Sequence, residues 1–165
     1  MKRRTVLTAA PLGLAGFLLA CTALTPAAVQ TQLQSDTAAL AGALSTVPAL
    51  LAAAGVTVPA GVTTQINNVL ADINANAAAI ASAATAPPNT VTTIVSDIKL
   101  VAGLVSPFFP AAAAVVPIID AALSLGTVLL AGAGVSLAAA GPLPPPKYTP
   151  DQARLILRNA AGRRT

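Results

Sequence analysis

Residues 62–80 read VTTQINNVLADINANAAAI, and this stretch carries the clearest structural signal in the chain. Branched apolar residues recur there at intervals of 4, 3, 4 and 7 positions, at Val62, Ile66, Val69, Ile73 and Ile80. Intervals of three and four place side chains on one face of an α-helix. The intervening residues are mostly Asn, Gln, Asp and Ala. The pattern predicts an amphipathic helix from about Gly61 to Ala84 that packs on partner helices.

The flanking sequence supplies these partner helices. Apolar residues at helical spacing predict a first helix from Ala27 to Ala54, which Pro48 should kink or end. A further helix is predicted from Thr90 to Val105. The segment from Ala111 to Ala140 is apolar all round, with Asp120 as its only charge. Such a segment is typical of a helix buried in a protein core or in a membrane.

The C-terminal region combines a proline-rich stretch with a short basic helix. Residues 141–146 read GPLPPP, which predicts a stiff polyproline spacer. Thr149, Pro150 and Gln152 then match the N-cap, first and third positions of a helix start. At about 12 residues this helix is marginal alone, so we expect it either to pack on the body or to fold on binding a partner. The spacer, which should hold it away from the bundle, favours a partner. The basic side chains of this region are then candidates for contact with a protein partner or anionic lipid. They are Arg154, Arg158, Arg163 and Arg164.

The N-terminus has the three parts of a secretory signal. Lys2, Arg3 and Arg4 give a basic start, and the apolar run from Val6 to Ala20 follows. This run is shorter than the roughly 20 apolar residues that span a bilayer. The arrangement predicts an export signal rather than a permanent membrane helix.

Two motifs refine this prediction by resemblance. Arg3-Arg4-Thr5-Val6-Leu7 resembles the bacterial twin-arginine export signal. Leu18-Leu19-Ala20-Cys21 resembles the bacterial lipobox, which implies that Cys21 is lipidated and becomes the mature N-terminus. Thr22 is not the Asp that typically retains a lipoprotein in the inner membrane, so the resemblance implies the outer membrane. Export by the general secretory route, and cleavage after Ala23 or Ala28, are the alternatives.

Together these segments predict an all-α protein. Its body is a small bundle of three to four antiparallel helices, followed by a short C-terminal helix. The expected organisation is an export signal at 1–20, a tether at 21–28, an Ala-rich bundle at 29–140, a Pro-rich linker at 141–148, and a basic C-terminal helix and tail at 149–165.

The composition excludes several kinds of chemistry. The chain has no His, no Trp and no Glu, and Cys21 is its only cysteine. Ser-His-Asp and Cys-His catalysis need a base that is absent here. Transition-metal sites depend on His and Cys clusters. The five Asp residues are spread about one per helix, as on solvated helix faces. We therefore expect no enzymatic activity, no cofactor and no metal.

The positive charge gives no support to nucleic-acid binding. Removal of the signal, with Lys2, Arg3 and Arg4, lowers the formal net charge from +4 to +1. The remainder also lacks an aromatic surface on which bases could stack.

The apolar segment leaves two alternatives for the body. Ala121–Ala140 has 20 residues without a charge, enough to span a bilayer, and a basic tail follows it. The same segment can be the central helix of a soluble bundle, which the amphipathic helices around it favour. Asp120 either faces water or forms a buried pair, for which Lys99 is the candidate partner and Ser124 a candidate hydrogen-bonding neighbour.

The sequence thus favours a non-enzymatic, exported envelope lipoprotein with a structural or protein-interaction role. Its expected contacts are the membrane, through a lipid anchor on the periplasmic side, and a protein partner or a second copy, through apolar helix faces. The alternative is a membrane-inserting protein of holin or pore type, integral to the inner membrane, in which 111–140 spans the bilayer.

Overall fold

A computed structural model describes residues 25–138 and 141–162, which form helices joined by turns. The prediction of an all-α bundle is confirmed. The helices are α1 (Pro26–Leu44), α2 (Val47–Ala53), α3 (Ala60–Ser82), α4 (Pro88–Val105), α5 (Val116–Gly132) and α6 (Pro150–Ala161), with a 3₁₀ turn at Ser106–Phe108 after α4.

Four long helices form a ring, in the order α1, α3, α4, α5, and each packs on its two neighbours. The Gln30 side chain, near the start of α1, reaches the carbonyl of Ile80 near the end of α3, so these two helices are antiparallel. Gly132, at the end of α5, lies against Leu33 near the start of α1, and the start of α4 at Pro88 lines the same cleft as Gly132. The ring is therefore an up-and-down antiparallel bundle, as predicted.

The core face of α3 follows the predicted row. Ile66, Ile73 and Ile80 are fully buried, and Leu70 and Ala77 join them. Val62 and Val69 lie at the edge of this face and are partly buried. The observed helix, Ala60–Ser82, agrees with the predicted bounds of Gly61–Ala84 within two residues.

The first predicted helix is divided in two, as Pro48 requires. α1 ends at Leu44, and α2 begins at Val47 with Pro48 in its first turn. Inside a longer helix, the Pro48 ring would clash with the carbonyl of Leu44. The Ser45 hydroxyl donates to the Ala41 carbonyl at 2.8 Å and so caps the last turn of α1.

The apolar segment 111–140 is not one long helix, and its stretch Ala121–Ala140, the candidate membrane span, is helical only as far as Gly132. α5 ends at Gly132, and Gly134 has a φ of +69°, which turns the chain back. The Val135 amide donates to the Leu130 carbonyl at 2.8 Å and closes this turn. Leu125, Leu129 and Leu130 are fully buried. α5 is therefore a core helix of the bundle.

α6 lies against the bundle rather than apart from it, which corrects the expectation that the proline spacer holds it away. It covers the groove between α1 and α5, and its Ala153 and Leu157 are fully buried. A Cβ built on Gly42 would lie 3.1 Å from Ala161 Cβ, so α6 approaches the end of α1 closely. The predicted start is confirmed, because the Thr149 and Gln152 side chains form a capping box.

Candidate functional site

The predicted pair between Asp120 and Lys99 is wrong, because the structure gives Asp120 another partner. Lys147 Nζ lies 3.0 Å from Asp120 Oδ2. The Lys147 side chain is 65% exposed and that of Asp120 14%, so the pair lies at the surface. The Lys99 Nζ lies instead beside Gly141, where a Cβ would be 3.4 Å away. The proline-rich segment brings Lys147 onto α5.

Ser124 joins α5 to the residues that follow the prolines. Its hydroxyl donates to the Asp120 carbonyl at 2.7 Å, rather than to the Asp120 carboxylate. The same oxygen accepts the amides of Lys147, at 3.1 Å, and Tyr148, at 3.3 Å. Asp120, Ser124 and Lys147 therefore form a clamp that fixes the chain before α6.

Arg154 does not point to an external partner, which corrects its assignment as a partner or lipid contact. Its Nε and Nη2 donate to the two Asp36 oxygens at 2.9 Å, a bidentate arrangement. Asp36 is 3% exposed and Arg154 20%. The Asp36 hydrogen bonds raise the pKa of Arg154 above its usual value, although burial acts in the opposite direction. This pair fastens α6 to α1.

The buried position of Asp36 was not predicted, although the spacing of its neighbours indicates it. Asp36 lies three residues after Leu33 and four before Leu40, which places it on the apolar face of α1. A carboxylate at such a position needs a partner, and the guanidinium of a distant helix supplies it.

Asp97 is the second aspartate that departs from the expected solvated position. Its Oδ2 is buried and has no hydrogen-bond partner among the described residues. Burial, and secondly the Asp72 carboxylate on α3, raise the pKa of Asp97 to about 6. Asp97 precedes Ile98, a fully buried residue of α4, and follows the buried Ile94 by three positions. The expectation of solvated aspartates is therefore wrong for Asp36 and Asp97.

The remaining predicted contact residues divide into two groups. Arg158 is exposed, and its Nε donates to the Arg154 carbonyl at 3.4 Å, so its charge faces water. Arg3, Arg4, Cys21, Arg163 and Arg164 lie outside the described residues.

The described residues form no cluster of the kind that holds a metal ion. Within residues 25–138 and 141–162, no three His, Cys, Asp or Glu side chains come together. A cleft of about 370 Å³ opens between α2, the start of α5 and the end of α6, where Leu50, Ile118 and Ala160 line it. Its lining carries the hydroxyls of Ser45 and Thr46 but no ionisable side chain.

Among residues 25–138 and 141–162, two helical stretches are long and apolar enough to cross a membrane, judged by length and composition alone. They are Pro26–Ala53 and Pro88–Phe108, while Val116–Gly132 is shorter. The first is interrupted after Leu44 and carries the buried Asp36. Core helices of bundles pass the same test, so this observation favours membrane insertion only weakly.

Comparison of the chain with protein-family models, with characterised proteins and with solved structures finds no match. The functional argument therefore rests on the residues and their geometry.

Proposed function

We propose that the chain is a non-enzymatic, exported lipoprotein of the bacterial envelope, whose bundle presents a protein-interaction surface. The observation that supports this proposal most is the short sequence separation between Cys21 and the start of the first helix. The Thr25 side chain accepts the Ala28 amide and caps α1, four positions after Cys21. Five residues from Cys21 to Pro26 reach at most about 18 Å.

This spacing gives the body a defined orientation at a membrane. The start of α1 lies at the same end of the bundle as the ends of α3 and α5 and the start of α4. The segments at this end, residues 25–35, 78–92 and 127–138, contain no ionisable side chain. The Lys99 ammonium lies beside Gly141. A largely uncharged end with one cation near it suits the approach to anionic lipid headgroups.

The opposite end then faces away from the membrane. It carries α2, the apolar cleft beside Ile118 and the C-terminal end of α6. Arg158, in the last turn of α6, is exposed, and a basic side chain beside an apolar cleft suits contact with an acidic protein surface. Arg163 and Arg164 follow it in the sequence.

The proposal of a non-enzymatic role is supported by the structural ion pairs that the charged side chains form. Asp36 with Arg154, and Asp120 with Lys147, both join the C-terminal segment to the bundle. These ionisable groups hold elements together and do not converge on a shared cavity.

Cell fractionation and intact-mass analysis of the wild type and of Cys21→Ser test this proposal. We expect the wild type to begin at Cys21 with added acyl mass, and Cys21→Ser to leave the membrane fraction. A double Arg3→Lys, Arg4→Lys change should abolish export by the twin-arginine route and leave general secretion intact. A wild type that retains Met1 and carries no acyl mass contradicts the proposal.

Membrane insertion is the second candidate, favoured by the apolar composition of Pro26–Ala53 and Pro88–Phe108. It is distinguished in the same experiment. Resistance of Cys21→Ser to carbonate extraction supports an integral protein of holin or pore type, whereas release supports the lipid anchor.

A further inference from the structure

The segment from Pro142 to Lys147, here called the proline strap, has a backbone conformation set by its own composition. Its sequence is PLPPPK. Each proline fixes its φ near −65°, and each residue before a proline is kept out of the helical region. No helix or strand is formed between 142 and 147. These restrictions favour a polyproline II chain with three residues per turn.

The proline strap is held to the bundle through Leu143, which packs against the core, and at its C-terminal end. Before it, Gly141 adopts a φ of +70° beside the Lys99 ammonium. At its end, the Lys147 and Tyr148 amides bond to Ser124, and Lys147 pairs with Asp120. A segment fixed in this way loses little further conformational entropy when a partner binds it.

The proline rings of the strap are exposed to solvent. Pro142, Pro144, Pro145 and Pro146 are exposed, whereas Leu143 is partly buried and packs against the core. With three residues per turn, the inward Leu143 leaves Pro142 and Pro145 together on an outward edge. Beside the strap runs an open groove of about 410 Å³, bordered by Thr127 and by Leu137, which is 56% exposed.

We propose that the proline strap is a docking site for a protein domain with an aromatic-lined, acid-rimmed groove. Such grooves bind polyproline II chains through ring contacts, at a P-x-x-P spacing. Pro142 and Pro145 have this spacing, and Lys147 follows two residues later with 65% of its side chain exposed. The charge of Lys147 sets the direction of binding through an acidic rim. This proposal depends neither on export nor on lipidation.

The chain contains its own control for the motif. Pro107-Phe108-Phe109-Pro110 has the same spacing, and both prolines are exposed. Residues 106–108, however, form a 3₁₀ turn, which is not a polyproline II chain. A groove that reads backbone conformation binds the proline strap and rejects residues 107–110.

The test is a titration of a ¹⁵N-labelled SH3 domain that selects P-x-x-P-x-Lys peptides with the full chain in mild detergent. We expect saturable shifts of the aromatic groove residues of the probe. Pro142→Ala with Pro145→Ala should weaken binding about tenfold or more, as two central ring contacts are lost. Pro107→Ala with Pro110→Ala should leave binding unchanged.

Thermal melts of both variants establish that they remain folded. A free peptide of residues 141–148 should compete for the probe, but with weaker affinity than the full chain, because its ends are not fixed. If the full chain gives no groove shifts while the peptide does, the strap is not accessible and the proposal is overturned. Equal loss of binding in the two double variants also overturns it.

Discussion

Arg154→Met should separate α6 from the bundle, and the geometry of its partner gives the magnitude. The substitution leaves the Asp36 carboxylate 97% buried, with only the Gln32 amide, at 2.7 Å, still bonded to it. Loss of one partner from a buried ion pair typically destabilises a protein by about 3–5 kcal/mol. Since Gln32 retains one bond, we expect the lower end, about 3 kcal/mol.

The reverse substitution, Asp36→Asn, should be milder. Arg154 keeps a second carboxylate, because its Nη1 donates to the exposed Asp151 at 3.0 Å. Its guanidinium is 20% exposed and can turn to water. We expect a loss of about 1–2 kcal/mol, typical of a lost hydrogen bond to a charged group. The asymmetry between the two variants follows from the unequal burial of the partners.

Urea unfolding followed by circular dichroism measures these losses in the full chain carrying Cys21→Ser. Tyr148 is the only tyrosine and the chain has no tryptophan, so tyrosine fluorescence reports locally on the start of α6. Arg158→Met, one turn along α6 with an exposed charge, is the matched control and should change stability by less than about 0.5 kcal/mol. Asp36→Leu with Arg154→Met should recover most of the loss, since an apolar pair can replace a buried ion pair.

Equal losses in Arg154→Met and Arg158→Met would show that the ion pair does not hold α6. A folded Arg154→Met variant whose α6 amides stay as protected from hydrogen exchange as in the wild type would also refute the claim that the Asp36–Arg154 pair holds α6 on the bundle.

Three further substitutions test other contacts. Asp97→Asn should stabilise the protein at pH 7 by about 1 kcal/mol, a value reduced for solvent screening of a partly buried group. The pKa of Asp97 is raised from 3.8 to about 6 in the folded state, so the free energy of unfolding of the wild type should decrease as the pH rises from 4 to 6. This decrease should be absent in the variant. Urea melts across that pH range measure it. Ser124→Ala should cost about 1–2 kcal/mol and increase hydrogen exchange at the Lys147 and Tyr148 amides, whereas an unchanged exchange rate would contradict the clamp. Gln30→Ala should cost about 2–3 kcal/mol, because its buried side chain joins the carbonyls of Ile80 and Ala83 to the Ala86 amide. The exposed Gln65→Ala serves as its control in the same melts.

Helix positions were predictable because they depend on local spacing and on prolines. The row of branched residues in α3, the break before Pro48 and the capping box at Thr149 are all properties of neighbouring residues. Each was confirmed within a few positions. The exception is α5, where the uncharged sequence continued to Ala140 although the helix ends at Gly132. Glycine is common just past a helix end, where Gly134 stands here, but composition alone could not choose the terminus among several glycines.

Charge partners were less predictable because they join residues far apart in sequence. Asp36 and Arg154 are separated by 118 positions, and Asp120 and Lys147 by 27. The choice of Lys99 for Asp120 assumed that adjacent helices would share their charges. The proline strap instead folds back along α5 and presents Lys147 there.

The sequence by itself determined the helical class, the helix starts and the absence of histidine chemistry, since these follow from residue identity and local periodicity. It also gave the motifs on which export and lipidation are proposed. Only the tertiary structure decided that α6 packs on α1 and α5, that Asp36 is buried and Asp97 partly buried, and that the proline strap is fixed to α5 at its C-terminal end. The physical reason is that burial of a charge or a ring depends on which distant surface covers it, and that surface exists only after the helices have packed.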